Sequence, residues 1–371
     1  MKKPIKIFLV AGARPNFMKV APILSAIKRR TGIFRPYFIH TGQHYDDKMS
    51  KAFLDDLSLP DPDVYLGVGS ASHAIQTAKI MIAFEKAMLE KRPDLVSVVG
   101  DVNSTLACAL VSAKLHVPIA HVEAGLRSRD RSMPEEINRI VADQLSNVLF
   151  TTCRDADSNL LKEGIPKEKI HFVGNVMIES LIMHQEKIDR SDILETLKLD
   201  RSGYALVTLH RPSNVDNPET FKPIFKILQK LSERLPVVFP VHPRTKVKIG
   251  EFKMTDGATD DHRLILMEPL DYFDFLNLEK NARLVLTDSG GVQEETTFFG
   301  VPCITIRENT ERPITVEQGT NTLAGTDPDA VHRACQSALS RPMGRKITPE
   351  LWDENVSERI VTVLMNRFGT N

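Results

Sequence analysis

Short runs of β-branched residues alternate with longer helical patterns along nearly the whole chain, and few folds accommodate that order. Ile5–Ala11, Tyr37–His40, Leu95–Val99, Val117–Ala120, Val148–Thr151 and Ile170–Val173 read as strands. Val20–Arg30, His73–Lys91 and Leu106–Leu115 read as helices between them. Such alternation builds a parallel sheet covered by helices on both faces. Residues 184–203, HQEKIDRSDILETLKLDRSG, break the pattern with polar and charged residues. It resumes at Ala205–Leu209, Val237–Val241, Leu264–Met267, Leu284–Leu286 and Val301–Ile306. The expectation is an α/β protein of two Rossmann-like, doubly wound domains, residues 1–174 and 175–349, facing each other across a cleft. The last stretch, 350–371, reads as an amphipathic helix expected to pack back on the first domain.

Charge and cysteine usage narrow the function classes. Lys+Arg and Asp+Glu both total 48, so composition gives no argument for nucleic acid or for an anionic membrane. Cys108, Cys153, Cys303 and Cys335 are scattered, with no CxxC pair, and read as small core residues in a reducing compartment. No run approaches the roughly 20 apolar residues of a membrane helix, and MKKPIKIFLVAGARP reads as a first strand rather than a signal peptide. A cytoplasmic location is expected.

The unusual residues fall just after the strands, where ligands bind in open parallel sheets. DSGGVQEE, residues 288–295, follows one of them. Ser289, Gly290 and Gly291 open a helix there, and free N–H groups at a helix start attract phosphate. Glu294 and Glu295 are expected in its first turn, where they suit the helix dipole. GARPNFMK, residues 12–19, offers Arg14 and Lys19 as further anion-binding groups. Of the two, Lys19 is the one expected at the surface. Carboxylates follow: Asp101 after LVSVVG, Glu123 just past Val117–Ala120, and Glu135 with Glu136 after Pro134. Three acids from three loops can move protons at one centre, although Asp101 also suits a helix cap. His121 and Glu123 form an HxE pair, but no further ligand spacing supports zinc. His210 and Arg211 end the first strand of the second half, where His210 can act as acid, base or orienting group.

Together, GARPNFMKVAP, TGQH, GDVNSTLA, HVEAGLR, MPEEINR, LHR, DSGGVQEE and NTERP resemble the non-hydrolysing UDP-N-acetylglucosamine 2-epimerases, in order and over almost the whole chain. The resemblance implies the two-domain GT-B fold, with UDP held mainly by the second domain and neither metal nor NAD as cofactor. It implies interconversion of UDP-GlcNAc and UDP-ManNAc for cell-envelope polysaccharide, by a homodimer, with no nucleic acid or membrane as partner. On this reading Asp101, Glu123, Glu135 and His210 match the catalytic positions. Arg14, Ser289, Gly290 and Gly291 would hold the diphosphate, Phe275 would pack near uracil, and Glu295 would bind ribose. Lys19 and Arg312 would also contact the nucleotide sugar, and Leu270 stands where some members have a glutamine. A hydrolysing epimerase and a GT-B glycosyltransferase are the alternatives.

Overall fold

The computed structural model describes residues 3–30, 32–43, 53–254, 263–340 and 348–369. His44, the last residue of TGQH, lies outside them. The chain forms two compact units, residues 1–184 with 350–371, and residues 185–349.

The first unit carries a parallel sheet of β1 (Ile5–Ala11), β2 (Phe34–His40), β3 (Val64–Tyr65), β4 (Leu95–Val99), β5 (Ile119–Ala124), β6 (Val148–Thr151) and β7 (Ile170–Phe172), in the order β3-β2-β1-β4-β5-β6-β7. β4 is buried throughout and β1 from Ile7 onward, as strands covered on both faces must be, so they read as continuous apolar runs rather than alternating ones. Phe8, Val10, Val96, Val98 and Ile119 pack with Ile80, Phe84 and Ala107 in one core. The strand order reverses between β1 and β4, which places the ligand-binding crevice at their carboxyl ends.

The second unit repeats this plan with β8 (Ala205–Thr208), β9 (Val237–Pro240), β10 (Leu264–Met267), β11 (Leu284–Thr287), β12 (Cys303–Thr305) and β13 (Asn321–Leu323), ordered β10-β9-β8-β11-β12-β13. Here the switch point lies between β8 and β11, whose ends carry His210 and the DSGG turn. All four cysteines are buried thiols.

The C-terminal segment docks within the first unit. Trp352 is buried, and its Nε1 donates to the Thr152 carbonyl at 3.1 Å. Gly174 has φ of +90°, and a Cβ there would lie 1.9 Å from the Leu351 carbonyl oxygen, so only glycine admits the segment so closely. Glu179, on the helix Val176–Met183, accepts from the Ser357 amide at 2.6 Å and from its hydroxyl at 2.5 Å. This contact explains why residues beyond 174 stay with the first unit.

Burial pushes the Glu179 carboxyl up to about 7, against the opposing pull of Ser357. A folded-state value raised above the unfolded one gives stability that is lost as pH rises. The window therefore runs from the ordinary carboxylate range to about 7. Across it, the melting temperature of Glu179→Gln is expected to rise relative to wild type. A pH-independent difference would contradict this.

Candidate active site

In the first unit β5 is longer than its apolar run suggests. It continues through His121 and Glu123 to Ala124, so Glu123 lies within the strand rather than past it. The strand can keep these polar residues buried because each finds a partner. The β5–β6 register shifts between Val122 and Ala124, and Glu123 has φ of +69°. Bulges re-aim side chains, and a non-glycine residue held in this region costs about 1–3 kcal/mol. Its carboxylate lies 2.6 Å from Lys19 Nζ, with both side chains buried.

The helix Arg14–Lys28 sets the Lys19 position. Asn16, Lys19, Val20 and Ile23 share its buried face at spacings of three and four. Gly100, with φ of +64°, passes beneath: a Cβ there would lie 3.2 Å from Lys19 Nζ and 3.3 Å from Asn16 Nδ2. The expected exposures of the two cations are thus reversed. Arg14 is exposed at the first position of the helix, its guanidinium 5.8 Å from the Phe53 ring centroid.

Asp101 is half-buried and accepts from Arg139 Nη1 at 2.5 Å, while its backbone carbonyl accepts from Asn138 at 2.8 Å. Arg139 and both glutamates lie on the helix Pro134–Leu145. Glu136 is buried and accepts from the Ser128 amide (2.9 Å), the Arg129 amide (3.0 Å) and Arg139 Nη2 (2.8 Å). Burial alone would raise its carboxyl, but these donors outweigh burial and hold it below the ordinary range. Glu136 is therefore a brace for the loop after β5. Glu135 beside it stays half-buried and keeps a route to solvent. His121 is fully buried between Asp143 and the Gly100 carbonyl, so it does not pair with Glu123 as a metal ligand. Among the described residues no cluster of three or more His, Cys, Asp or Glu is placed to hold a metal ion.

In the second unit His210 is half-buried, and its Nδ1 lies 2.9 Å from the carboxylate of the buried Asp288. Asp288 also accepts from the amides of His210 (3.0 Å) and Arg211 (2.9 Å). Burial raises its carboxyl, but the His210 ring and these amides outweigh burial and hold it below the ordinary range. An ionised Asp288 accepts a hydrogen bond from Nδ1–H, which leaves Nε2 for chemistry. The ring of His242 lies 5.7 Å away; this exposed residue caps its own helix by accepting from the Arg244 amide.

Ser289 precedes the helix Gly290–Phe299, and its side chain makes no capping hydrogen bond. Arg312 lies across this helix start. A Cβ on Gly290 would sit 2.4 Å from Arg312 Nη1, so the glycine is what admits the guanidinium. Arg312 is buried between Glu294 (2.9 Å) and Glu311 (2.5 Å), and Glu311 continues to Arg307 at 2.7 Å. Glu294 and Glu295 lie beyond the first helical turn, so their expected service to the dipole is replaced. Glu294 holds Arg312. Glu295 is buried near Tyr272 and Glu279, and burial, together with the Glu295 charge, pushes the Glu279 carboxyl well above the ordinary range. Leu270 and Phe275 are half-buried against a core that includes Leu278 and Val292.

Each unit thus gathers one kind of chemistry. The first brings Lys19, Asp101 and Glu123 around Gly100, with carboxylates beside a buried cation. The second brings Gly290 and Arg312 to a helix N-terminus, an anion-binding arrangement, next to the Asp288–His210 pair. Arg139, one of the arginines of residues 120–139 expected to steer an anionic substrate or pair with acids, pairs with Asp101 and Glu136. Asp288 was not singled out from the sequence, although it opens DSGGVQEE.

A family profile for UDP-N-acetylglucosamine 2-epimerase matches residues 25–365. A UDP-N-acetylglucosamine 2-epimerase of Methanocaldococcus jannaschii is 41% identical over 368 residues, which span 97% of this chain and 99% of that one. A UDP-2,3-diacetamido-2,3-dideoxy-D-glucuronate 2-epimerase of Pseudomonas aeruginosa is 39% identical over 340 residues, 91% of this chain and 93% of that one. The crystal structure of a Methanocaldococcus jannaschii UDP-GlcNAc 2-epimerase in complex with UDP-GlcNAc and UDP has a TM-score of 0.89 at 41% identity, covering 98% of this chain and 100% of that one. The fold is accordingly GT-B-like.

Proposed function

We propose that this chain, which belongs to the UDP-N-acetylglucosamine 2-epimerase family, interconverts UDP-GlcNAc and UDP-ManNAc without hydrolysis. The observation that carries the reading is the buried Lys19–Glu123 pair, which joins the strained bulge of β5 to the helix that follows β1. Strain of that kind persists where surrounding structure fixes it, and it clusters at functional sites.

The chemistry asks for what the two units hold. The C2 hydrogen of GlcNAc is a poor acid. When the C1–O bond breaks, its electron pair leaves with UDP and C1 becomes cationic. A carboxylate then takes the C2 proton, giving 2-acetamidoglucal. Protonation from the opposite face and return of UDP to C1 give the epimer, with no net gain or loss of water. The departing diphosphate is stabilised by the Gly290 helix start, Arg312 and Arg14. Asp101, Glu123 and Glu135 are the proton-transfer groups, and His210, oriented by Asp288, completes the set. Phe275 and Leu270 supply apolar contact for the base, and Glu295 receives the ribose hydroxyls.

Product analysis tests this. UDP-ManNAc accumulating from UDP-GlcNAc supports it, whereas free ManNAc with equal UDP identifies the hydrolysing enzyme. The Pseudomonas relative makes a second substrate worth including: turnover of a 2,3-diacetamido uronate alone would move the sugar, not the reaction. Arg14→Ala is expected to weaken UDP binding by about tenfold, as loss of one charge-assisted hydrogen bond does. Unchanged UDP affinity in calorimetry would remove Arg14 from the diphosphate site.

The reading includes a homodimer. On the helix His73–Lys91, Ile75, Ile82 and Leu89 recur at heptad spacing and are 53%, 72% and 59% exposed. Beside them Ala74, Thr77, Met81, Leu106 and Ile137 line a cavity of about 520 Å³. In a two-fold interface one patch supplies both knobs and holes. Ile82→Glu is expected to convert a dimer to a monomer in sedimentation. An unchanged sedimentation coefficient would place the interface elsewhere.

A further inference from the structure

We infer that His121 is a positioning residue: as a buried imidazolium it pins the Gly100–Asp101 turn to the bulged end of β5 that carries Glu123. The inference rests on the proton-transfer reading of those two carboxylates.

The ring has no solvent exposure. Its Nδ1 lies 2.7 Å from Asp143 Oδ1, and its Nε2 lies 2.8 Å from the Gly100 carbonyl oxygen. Both partners accept, so both ring nitrogens must donate. A neutral imidazole has one N–H and would turn a lone pair on one of these oxygens. Only the cation satisfies both. Burial by itself disfavours that cation, but the Asp143 charge and hydrogen bond outweigh burial and raise the His121 value above that of a free imidazole. Burial likewise raises the Asp143 carboxyl, and His121 with Arg127 outweighs burial to keep it ionised. The charges close locally: Arg127 Nη2 lies 2.7 Å from Asp143 Oδ2 and 2.6 Å from Glu163 Oε2.

The hydrogen bonds show what is pinned. The Gly100 amide donates to the Val122 carbonyl at 3.0 Å, and its carbonyl accepts from His121. The end of β4 is thus fastened to β5 through both sides of Gly100. Asp101 follows Gly100 directly, and Glu123 lies just beyond His121 on the strand. Asp143 extends the clamp, because its Oδ2 accepts from the Gly125 amide at 3.1 Å, immediately after the bulge. Without the imidazolium the Gly100 peptide loses one of its two anchors, and Asp101 can shift relative to Glu123. A displacement of about 1 Å costs catalysis about 10²-fold. Neither ring nitrogen is directed at substrate, so His121 acts through the two carboxylates and not on the sugar.

Three measurements test this. Nitrogen-15 histidine NMR on the unmodified chain near neutral pH is expected to show both His121 ring nitrogens protonated, the signals being assigned by their loss in His121→Gln. A single neutral tautomer would overturn the inference, whether or not any variant folds. In His121→Gln, kcat is expected to fall about 10²-fold while KM and UDP affinity stay within about threefold. Amide exchange should quicken at Asp101 and Val102 and stay unchanged in the core strands. A folded variant with wild-type kcat would overturn the inference, as would equal loss of kcat and UDP affinity. Failure of the underlying proton-transfer reading looks different. Fully active Asp101→Asn and Glu123→Gln would remove that reading, yet leave the NMR and exchange results as they are.

Discussion

Glu123→Gln is expected to lower turnover about 10²–10⁴-fold, the usual cost of losing a general acid or base, and to leave UDP binding nearly intact. The site adds a complication that the experiment has to separate. Glu123 and Lys19 are a buried pair at 2.6 Å. Removing one charge from such a pair leaves the other uncompensated, which costs about 3–5 kcal/mol. The single variant should therefore melt lower as well as turn over slowly. The double variant Lys19→Met/Glu123→Gln distinguishes the two effects. Replacing both partners of a buried pair is often close to neutral for stability, so the double variant should recover most of the lost melting temperature and none of the activity. Recovery of both would make the pair structural. A single variant with near-normal turnover would take Glu123 out of the chemistry.

Arg312→Ala is the second large effect. The guanidinium is held between Glu294 and Glu311 and lies where a Gly290 side chain would be. Its loss leaves two buried carboxylates short of a partner and strips the helix start of its cation. Stability is expected to fall by about 3–5 kcal/mol. UDP affinity should fall by about 10–10²-fold, since a hydrogen bond to a charged group contributes about 1.5–3 kcal/mol. Arg312→Lys keeps the charge without the planar fork and should fall between wild type and Arg312→Ala. Calorimetry with UDP alone separates this from catalysis. If the folded Arg312→Ala protein binds UDP as wild type does, Arg312 only braces the helix.

Much of the architecture was legible because buried parallel strands are nearly pure apolar runs. β1, β4, β6 and β10 fall where the β-branched residues are. The exceptions have physical causes. Val64–Tyr65 and Asn321–Leu323 are short edge strands whose pairing is set by a neighbour rather than by their own residues. β5 runs on through His121 and Glu123 because their partners, Asp143 and Lys19, are distant in sequence, so the polar end looked like a loop.

The candidate site shows the same limit. The motifs fall at the ends of strands, because the switch-point geometry is a property of the fold. They did not reveal which charged side chains turn inward. Lys19 is buried and Arg14 exposed because one face of their helix packs on the sheet, which the short GARPNFMK stretch cannot disclose. Glu136 and Arg139 are braces, and Glu294 holds an arginine rather than the helix dipole. Ion pairs between segments distant in sequence, Lys19 with Glu123, Arg139 with Asp101 and Glu294 with Arg312, decided most of these roles.

The proposed epimerisation turns on reversible loss of the C2 proton. It is tested most directly by proton NMR of UDP-GlcNAc with the purified protein in D₂O, without added metal or acceptor. Deuterium is expected to appear at C2 of UDP-GlcNAc as a deuterated UDP-ManNAc signal grows. Epimerisation with the C2 proton retained, or no exchange at all, would contradict it.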